Sequence, residues 1–137
     1  MLTENDVIEA VCEHLKATGY EIASRATTRE HGIDIIANRT GISGRLLIEA
    51  KGETSSKSNT NRYGSPFKSG AVRVHVAEAL YSAACLHATH HRSGDSIGIA
   101  FPETPRHRDL VSRIKPILDS LGVATFFVQR DHSVKTS

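Results

Sequence analysis

The sequence predicts an α/β fold in which a mixed central β-sheet is flanked by helices, in the order α-β-β-β-α-β-α-β. Three observations predict it. Apolar residues recur at helical spacing over residues 4–18, 71–88 and 104–121. Short strand-like runs surround those helices, and the first three follow one another with no helix between them. Two of these runs are joined by a glycine-containing turn, which makes an antiparallel hairpin, whereas the helix-linked runs favour parallel pairing. The 137 residues suit one domain, 1–137, able to bury roughly two-thirds of its unfolded surface without a disulfide or structural metal.

The first helix is expected from Glu4 to Thr18. Thr3 can cap it, with Asp6 at capping-box spacing. Val7, Ile8, Val11, Cys12 and Leu15 form its apolar stripe, and Gly19 stops it. Strands follow at Tyr20 to Arg25, Ile33 to Asn38 and Arg45 to Lys51, and RTGISG, with Gly41 and Gly44, turns the second into the third. Residues 52–70 form a long polar loop, a kind that within a domain is usually functional or disordered. Ala71 to Ala88 reads as a helix apolar almost all round, hence packed on most sides, with His75, Glu78 and Ser82 on its polar face. Ser96 to Phe101 is a fourth strand. Thr104 and Pro105 supply the cap and first-turn proline of a third helix lined by Leu110, Val111, Ile114, Ile117, Leu118 and Leu121. Pro116 should kink or split that helix, and Gly122 ends it. Val123 to Gln129 is the last strand, and the polar tail 131–137 should be frayed.

Composition narrows the class. Hydrophobic residues at 39% and charged residues at 23% are ordinary for a globular protein. No apolar run approaches the ~18 residues of a membrane helix. The start, MLTENDVIEA, is acidic and amphipathic, unlike a signal peptide, so a cytoplasmic location is expected. Cys12 and Cys85 fall in helices among apolar residues and read as two reduced, buried thiols. A net charge of +2 says little about nucleic acid. The local distribution says more: Lys57, Arg62, Lys68 and Arg73 form one basic group, and Arg106, Arg108, Arg113 and Lys115 another. His87, His90 and His91 could share a helical face but lack a fourth ligand, and they suit a helix C-terminus.

The chemistry concentrates in the hairpin. Alternate residues of a strand share a face, so Glu49 and Lys51 point one way on the third strand, and Asp34 and Ile36 one way on the second. A turn centred between Gly41 and Ile42 sets Asp34 across from Glu49. One centred between Ile42 and Ser43 sets it across from Lys51, with Glu49 diagonal. Either register gathers the three groups on one face, about 5–8 Å apart; a half-residue shift would scatter them. Two nearby carboxylates repel and call for a cation, and oxygen ligands suit Mg²⁺ or Mn²⁺. Such a metal can acidify a water and steady charge on a phosphate oxygen, while Lys51 positions the water or holds the phosphate. A surface ion pair of Lys51 with one carboxylate is the plain alternative. The apolar flanks IDIIA and LLIEA favour a site at the ends of core strands.

HGIDIIA followed by LLIEAKG resembles the core of the PD-(D/E)XK nuclease superfamily, in particular the branch of Mrr-type restriction enzymes and archaeal Holliday-junction resolvases. The helix ending at Gly19 and Tyr20 is similar too; Ile33 stands where the motif has proline. The resemblance implies a restriction-endonuclease-like core in which Asp34, Glu49 and Lys51 are catalytic. Asp34, Glu49 and the Ala50 carbonyl would bind Mg²⁺ (or Mn²⁺). A first-helix glutamate would complete the metal site, with Glu9 favoured over Glu4, although the family's usual position holds Ile8 here. The segment RYGSPFKSGAVRVHVAEAL also resembles that of small bacterial proteins sharing this core, which sets Arg62, Tyr63, Phe67 and His75 near the site. Arg62, Lys68 and Arg73 are then candidate phosphate contacts, and Tyr63 or Phe67 could stack on a base. His75 and Glu78 could face the cleft behind the catalytic groups, and His75 could equally be a satisfied core histidine.

Two functions of different class follow. One is a metal-dependent endonuclease acting on DNA, either as a homodimer on junctions, flaps or ends, or brought to its target by a partner protein. The alternative is a catalytically inactive nucleic-acid-binding or regulatory module on the same fold; the complete D…ExK set argues against it. A plain interaction protein has only the weak net charge in its favour.

Overall fold

A capping box opens the chain's first helix: Thr3 accepts from the Asp6 backbone N–H at 3.1 Å, and Asp6 accepts from the Thr3 N–H at 2.9 Å. Helix α1 therefore starts at Glu4 and spans Glu4–Ala17. The structure, a computed structural model, describes residues 1–25, 32–54 and 69–137. After α1 come β1 (Tyr20–Arg25), β2 (Ile35–Arg39), β3 (Leu46–Ala50), α2 (Ser69–His90), a 3₁₀ turn (His91–Ser93), β4 (Ser96–Pro102), α3 (Pro105–Leu121), β5 (Ala124–Val128) and β6 (Val134–Thr136). The α/β class, with a mixed sheet and three helices, is the one the sequence predicts.

The six strands lie in chain order across one sheet. β1, β2 and β3 pair antiparallel, β3, β4 and β5 parallel, and β5 and β6 antiparallel. Alternation along the strands feeds two cores. Ile35, Ile48, Ala50 and Phe126 pack with the α1 stripe of Ile8, Val11 and Leu15 on one face. Leu47, Ile99, Phe101 and Phe127 pack under Val76 of α2 and Val111 and Leu118 of α3 on the other.

Five expectations are corrected. Ile117 does not line the buried face of α3: it is exposed, about 100° around the helix from the buried Leu118. The tail 131–137 is not frayed: β6 pairs with β5, Gln129 and Thr125 backbone groups bond to Ser133 and Ser137, and Val134 packs on the α1-side core. α2 is not packed on most sides. Its buried residues Val72, Val76, Ala79 and Ala83 form one stripe, while Val74 and Tyr81 are exposed; short alanines made the helix look apolar all round. Cys85, unlike Cys12, is exposed on this outer side. Pro116 does not split α3, because Leu118 beyond it is fully buried and Leu121 packs on the same core, which offsets the roughly 3 kcal/mol an interior proline costs. Among the described residues no helix is long and apolar enough to cross a membrane.

Candidate functional site

The hairpin register runs Ile35↔Ile48, Ile36↔Leu47, Ala37↔Leu46. Extended by one residue, it sets Asp34 opposite Glu49, the first of the two registers the sequence allows. Both side chains then leave the sheet on the face that Leu47 and Ile36 share with α2. The Ala50 N–H donates to Asp34 Oδ2 at 2.8 Å, so the carboxylate of one strand is fixed by the backbone of the next. Lys51 continues the parallel pairing by donating its N–H to the Ala100 carbonyl at 3.0 Å. These groups thus stand at the C-terminal ends of parallel strands, the edge where open α/β sheets bind ligands.

Three surrounding elements complete the cluster. Lys51 Nζ lies 3.9 Å from Glu49 Oε1 and 3.9 Å from Glu78 Oε2 of α2. Burial raises the Glu4 carboxyl above its ordinary range, with the Asp34 charge adding and the Lys51 charge opposing. Glu4 is therefore within electrostatic reach of the hairpin groups. The chain just after β3 holds it there: the Glu53 N–H donates to the Leu2 carbonyl at 2.8 Å, Glu53 Oε1 accepts from the Leu2 N–H at 3.0 Å, and Thr54 bridges Thr3. Gly52 permits the approach, since a Cβ there would stand 2.4 Å from the Glu4 nitrogen.

The electrostatics are those of crowded acids. Asp34 is 8% exposed, and burial raises its carboxyl, against the Ala50 hydrogen bond and the Lys51 charge. Glu49 is pushed up to about 7, first by burial, then by the charges of Asp34, Glu4 and Glu78, with Lys51 opposing. A raised set of carboxyls at a strand end is the setting in which a cation is favourable.

The residues of the sequence reading separate accordingly. Asp34, Glu49, Ala50, Lys51 and Glu78 come together. Glu9 does not join them: it is 64% exposed and sits 3.5 Å from Arg25. Glu4 is the first-helix glutamate within electrostatic reach of Asp34 and Lys51, and the signals for it were the Thr3 cap and Gly52. His75 lies near His107 of α3, whose imidazole is pushed down to about 4 by burial and secondarily by the His75 charge. Arg73 is exposed and faces α3. Arg62, Tyr63, Phe67 and Lys68 lie outside the described residues. In the second basic group acids answer the charges: Arg108 meets Glu103, Arg106 and Arg113 meet Asp109, and Lys115 meets Asp119. His91 Nδ1 bonds the His87 carbonyl at 2.7 Å, and His90 turns to Asp95 at 3.5 Å, so the three histidines do not converge.

Whether the cluster suits a divalent cation turns on its donors. Among the described residues no three His, Cys, Asp or Glu side chains stand close enough to enclose an ion. The pair present, Asp34 and Glu49, supplies the one or two carboxylates Mg²⁺ takes while keeping several waters, and the raised carboxyls gain from such a charge. The donor chemistry fits. No protein-family model matches the chain, and no curated protein and no solved structure matches it.

Proposed function

We propose that this chain is a metal-dependent nuclease that hydrolyses phosphodiester bonds in DNA. The observation that carries the reading is the meeting of three hairpin groups at the strand ends: Asp34 opposite Glu49 and held by the Ala50 N–H, and Lys51 Nζ 3.9 Å from Glu49 and from Glu78, with Glu4 in electrostatic reach. Gathering like charges out of water costs stability, and functional sites are where such clusters accumulate. The resemblance of HGIDIIA and LLIEAKG to the PD-(D/E)XK core agrees with it.

Asp34 and Glu49 would hold Mg²⁺ or Mn²⁺, with the Ala50 carbonyl as a further ligand and Glu4 adding negative charge. When bound, the ion supplies charge neutralisation and Lewis acidity toward a phosphate oxygen. The Ala50 N–H keeps Asp34 oriented. Glu49 and Glu78, each 3.9 Å from Nζ, hold the Lys51 ammonium over the site, where it faces a phosphate and steadies negative charge as the bond breaks. A double-strand or junction cut calls for two such sites, which a homodimer would provide; a partner protein is the other route to a target.

The test is cleavage of labelled linear, nicked, flapped and four-way-junction DNA with Mg²⁺, Mn²⁺ or EDTA, beside Lys51→Ala. Metal-dependent cutting should fall roughly 10²–10³-fold in the variant, the scale of losing one group that stabilises transition-state charge. Binding without cutting in any metal would overturn the enzyme reading and leave a nucleic-acid-binding module.

A further inference from the structure

α2 and α3 lie side by side on one face of the sheet, and a groove of about 410 Å³ opens between them. Three arginines rim it, Arg73 from α2 and Arg106 and Arg113 from α3. Its floor is apolar, with Val76 and Leu80 facing Leu110 and Ile114. Among the described residues the carboxylate paired with this rim is Asp109, 2.9 Å from Arg113 and 3.6 Å from Arg106. Three positive charges less one negative leave the rim at +2.

The groove opens at the same end of the sheet as the carboxylate cluster. α2 begins after β3 has delivered Glu49 and Lys51, and α3 begins after β4, which runs parallel to β3. Both helix N-termini therefore stand at the strand C-terminal ends, with Arg106 in the first turn of α3 and Arg73 one turn into α2. Glu78, beside Lys51, is five residues from Arg73, about 140° around the helix at 3.6 residues per turn. α2 thus stands between site and groove, and its first turn carries no acidic residue. The helix dipole favours negative charge at that N-terminus.

We infer that the α2–α3 groove seats an unpaired nucleotide of the nucleic-acid substrate, which makes substrates with a single-stranded flap, tail or junction arm the preferred class. The inference rests on the nuclease reading. The groove, at about 410 Å³, has the volume of a small-molecule pocket and is too small to enclose a duplex. A single strand alternates anionic phosphates with flat, largely apolar bases, and the groove answers both. Arginine forks onto phosphate and stacks its plane on a base, while Leu80, Leu110 and Ile114 offer apolar surface to a base or sugar.

The test is binding in EDTA, where nothing is cut, of a fluorescein-labelled blunt duplex and of the same duplex with a short single-stranded tail. The wild type should bind the tailed form roughly tenfold tighter, the scale of one stacked base. Arg73→Glu with Arg113→Glu should cut that gain below about twofold. Arg39→Glu with Arg92→Glu changes net charge equally at the opposite end of the sheet, at the last residue of β2 and just before β4, and should keep the gain. Circular dichroism checks folding; if the groove double variant does not fold, Arg73→Ala alone should lower the gain several-fold. A wild type that binds both forms alike, or a groove variant that keeps the gain, overturns the inference. Lys51-dependent cutting of duplex with no tail gain removes the groove and leaves the nuclease. A tail gain lost in the groove variant, with no cutting in any metal, upholds the groove and removes the nuclease. A dimer that the groove variant dissociates, with no tail gain, gives the groove to a second copy and overturns the inference.

Discussion

Burial and the charges of Asp34, Glu4 and Glu78 hold the Glu49 carboxyl at about 7 against an ordinary 4.5. Between those values the folded chain binds more protons than the unfolded one. The stability Glu49 contributes is therefore fully present below 4.5 and is lost as pH rises through about 7. The gap sets an upper limit of roughly 3 kcal/mol, reduced because its neighbours titrate with it. Removing the charge should then help the fold and harm the site. Glu49→Gln is expected to raise the metal-free melting temperature at pH 8 by a few degrees while abolishing cleavage. Mg²⁺ or Mn²⁺ should raise the wild-type midpoint more at pH 8 than at pH 6, and leave Glu49→Gln nearly unmoved. A Gln variant that melts below the wild type at pH 8 would sink this account of the strain. The three hairpin groups were legible because alternation and a short turn place Asp34, Glu49 and Lys51 together without tertiary knowledge. The choice between the two registers was not, since the turn sequence admits both and only pairing with the rest of the sheet decides.

At the scale of elements, the site depends on how the start of α1 docks beside the end of β3. Glu53 and Thr54 clasp Leu2 and Thr3 through the backbone, and Gly52 lets Glu4 come within van der Waals range. A Cβ at Gly52 would stand 2.4 Å from the Glu4 nitrogen and 2.6 Å from the Thr3 carbonyl carbon, both backbone atoms that move only with the helix. Gly52→Ala should therefore cost on the order of 1–3 kcal/mol by overpacking. It should also lower metal affinity, because Glu4 is displaced with α1. Titrating Mn²⁺ into the purified variant separates the two: an unchanged affinity in a destabilised protein would mean that Glu4 stands apart from the ion. This docking also explains why Glu9 looked better than Glu4 in the sequence. The resemblance ranks the first-helix glutamates by their distance from Gly19 and Tyr20, whereas the choice here is made by a contact between segments about fifty residues apart. β6 escaped notice for a similar reason: a three-residue strand has too little alternation to read, and its pairing with β5 and the packing of Val134 form only in the folded chain.

Across the whole molecule the half-buried Glu49 and the buried His107 pull stability in opposite directions with pH. His107 on α3 is 1% exposed, and its imidazole is pushed down to about 4 from an ordinary 6.5. Thr104 Oγ1 meets its Nδ1 at 2.6 Å, while its buried Nε2 has no hydrogen-bond partner among the described residues. For this base the sign is the reverse of that for Glu49: its contribution is present above 6.5 and is lost as pH falls through 4, because only the unfolded chain readily takes the proton. The windows overlap between 4.5 and 6.5, where acid strengthens the fold through Glu49 and weakens it through His107, each by at most about 1.4 kcal/mol per pH unit. Asp34 and Glu4 are raised as well and lean the sum toward acid stabilisation; the lowered Asp95 and Asp131 act below 3.8, outside the window. Metal-free wild type should thus show a nearly flat unfolding free energy from pH 6.5 to 4.5 in urea titrations, rising slightly toward acid. Glu49→Gln should tilt that profile so that stability falls with acid, and His107→Asn should tilt it the other way. Both slopes come from removing one proton-binding group each, so the two variants combined should return to near the wild-type profile if the carboxylate cluster and the α3 histidine titrate independently. A double variant that keeps the tilt of either single one would show that the two sites are coupled through α2, which touches Lys51 through Glu78 and neighbours His107 through His75.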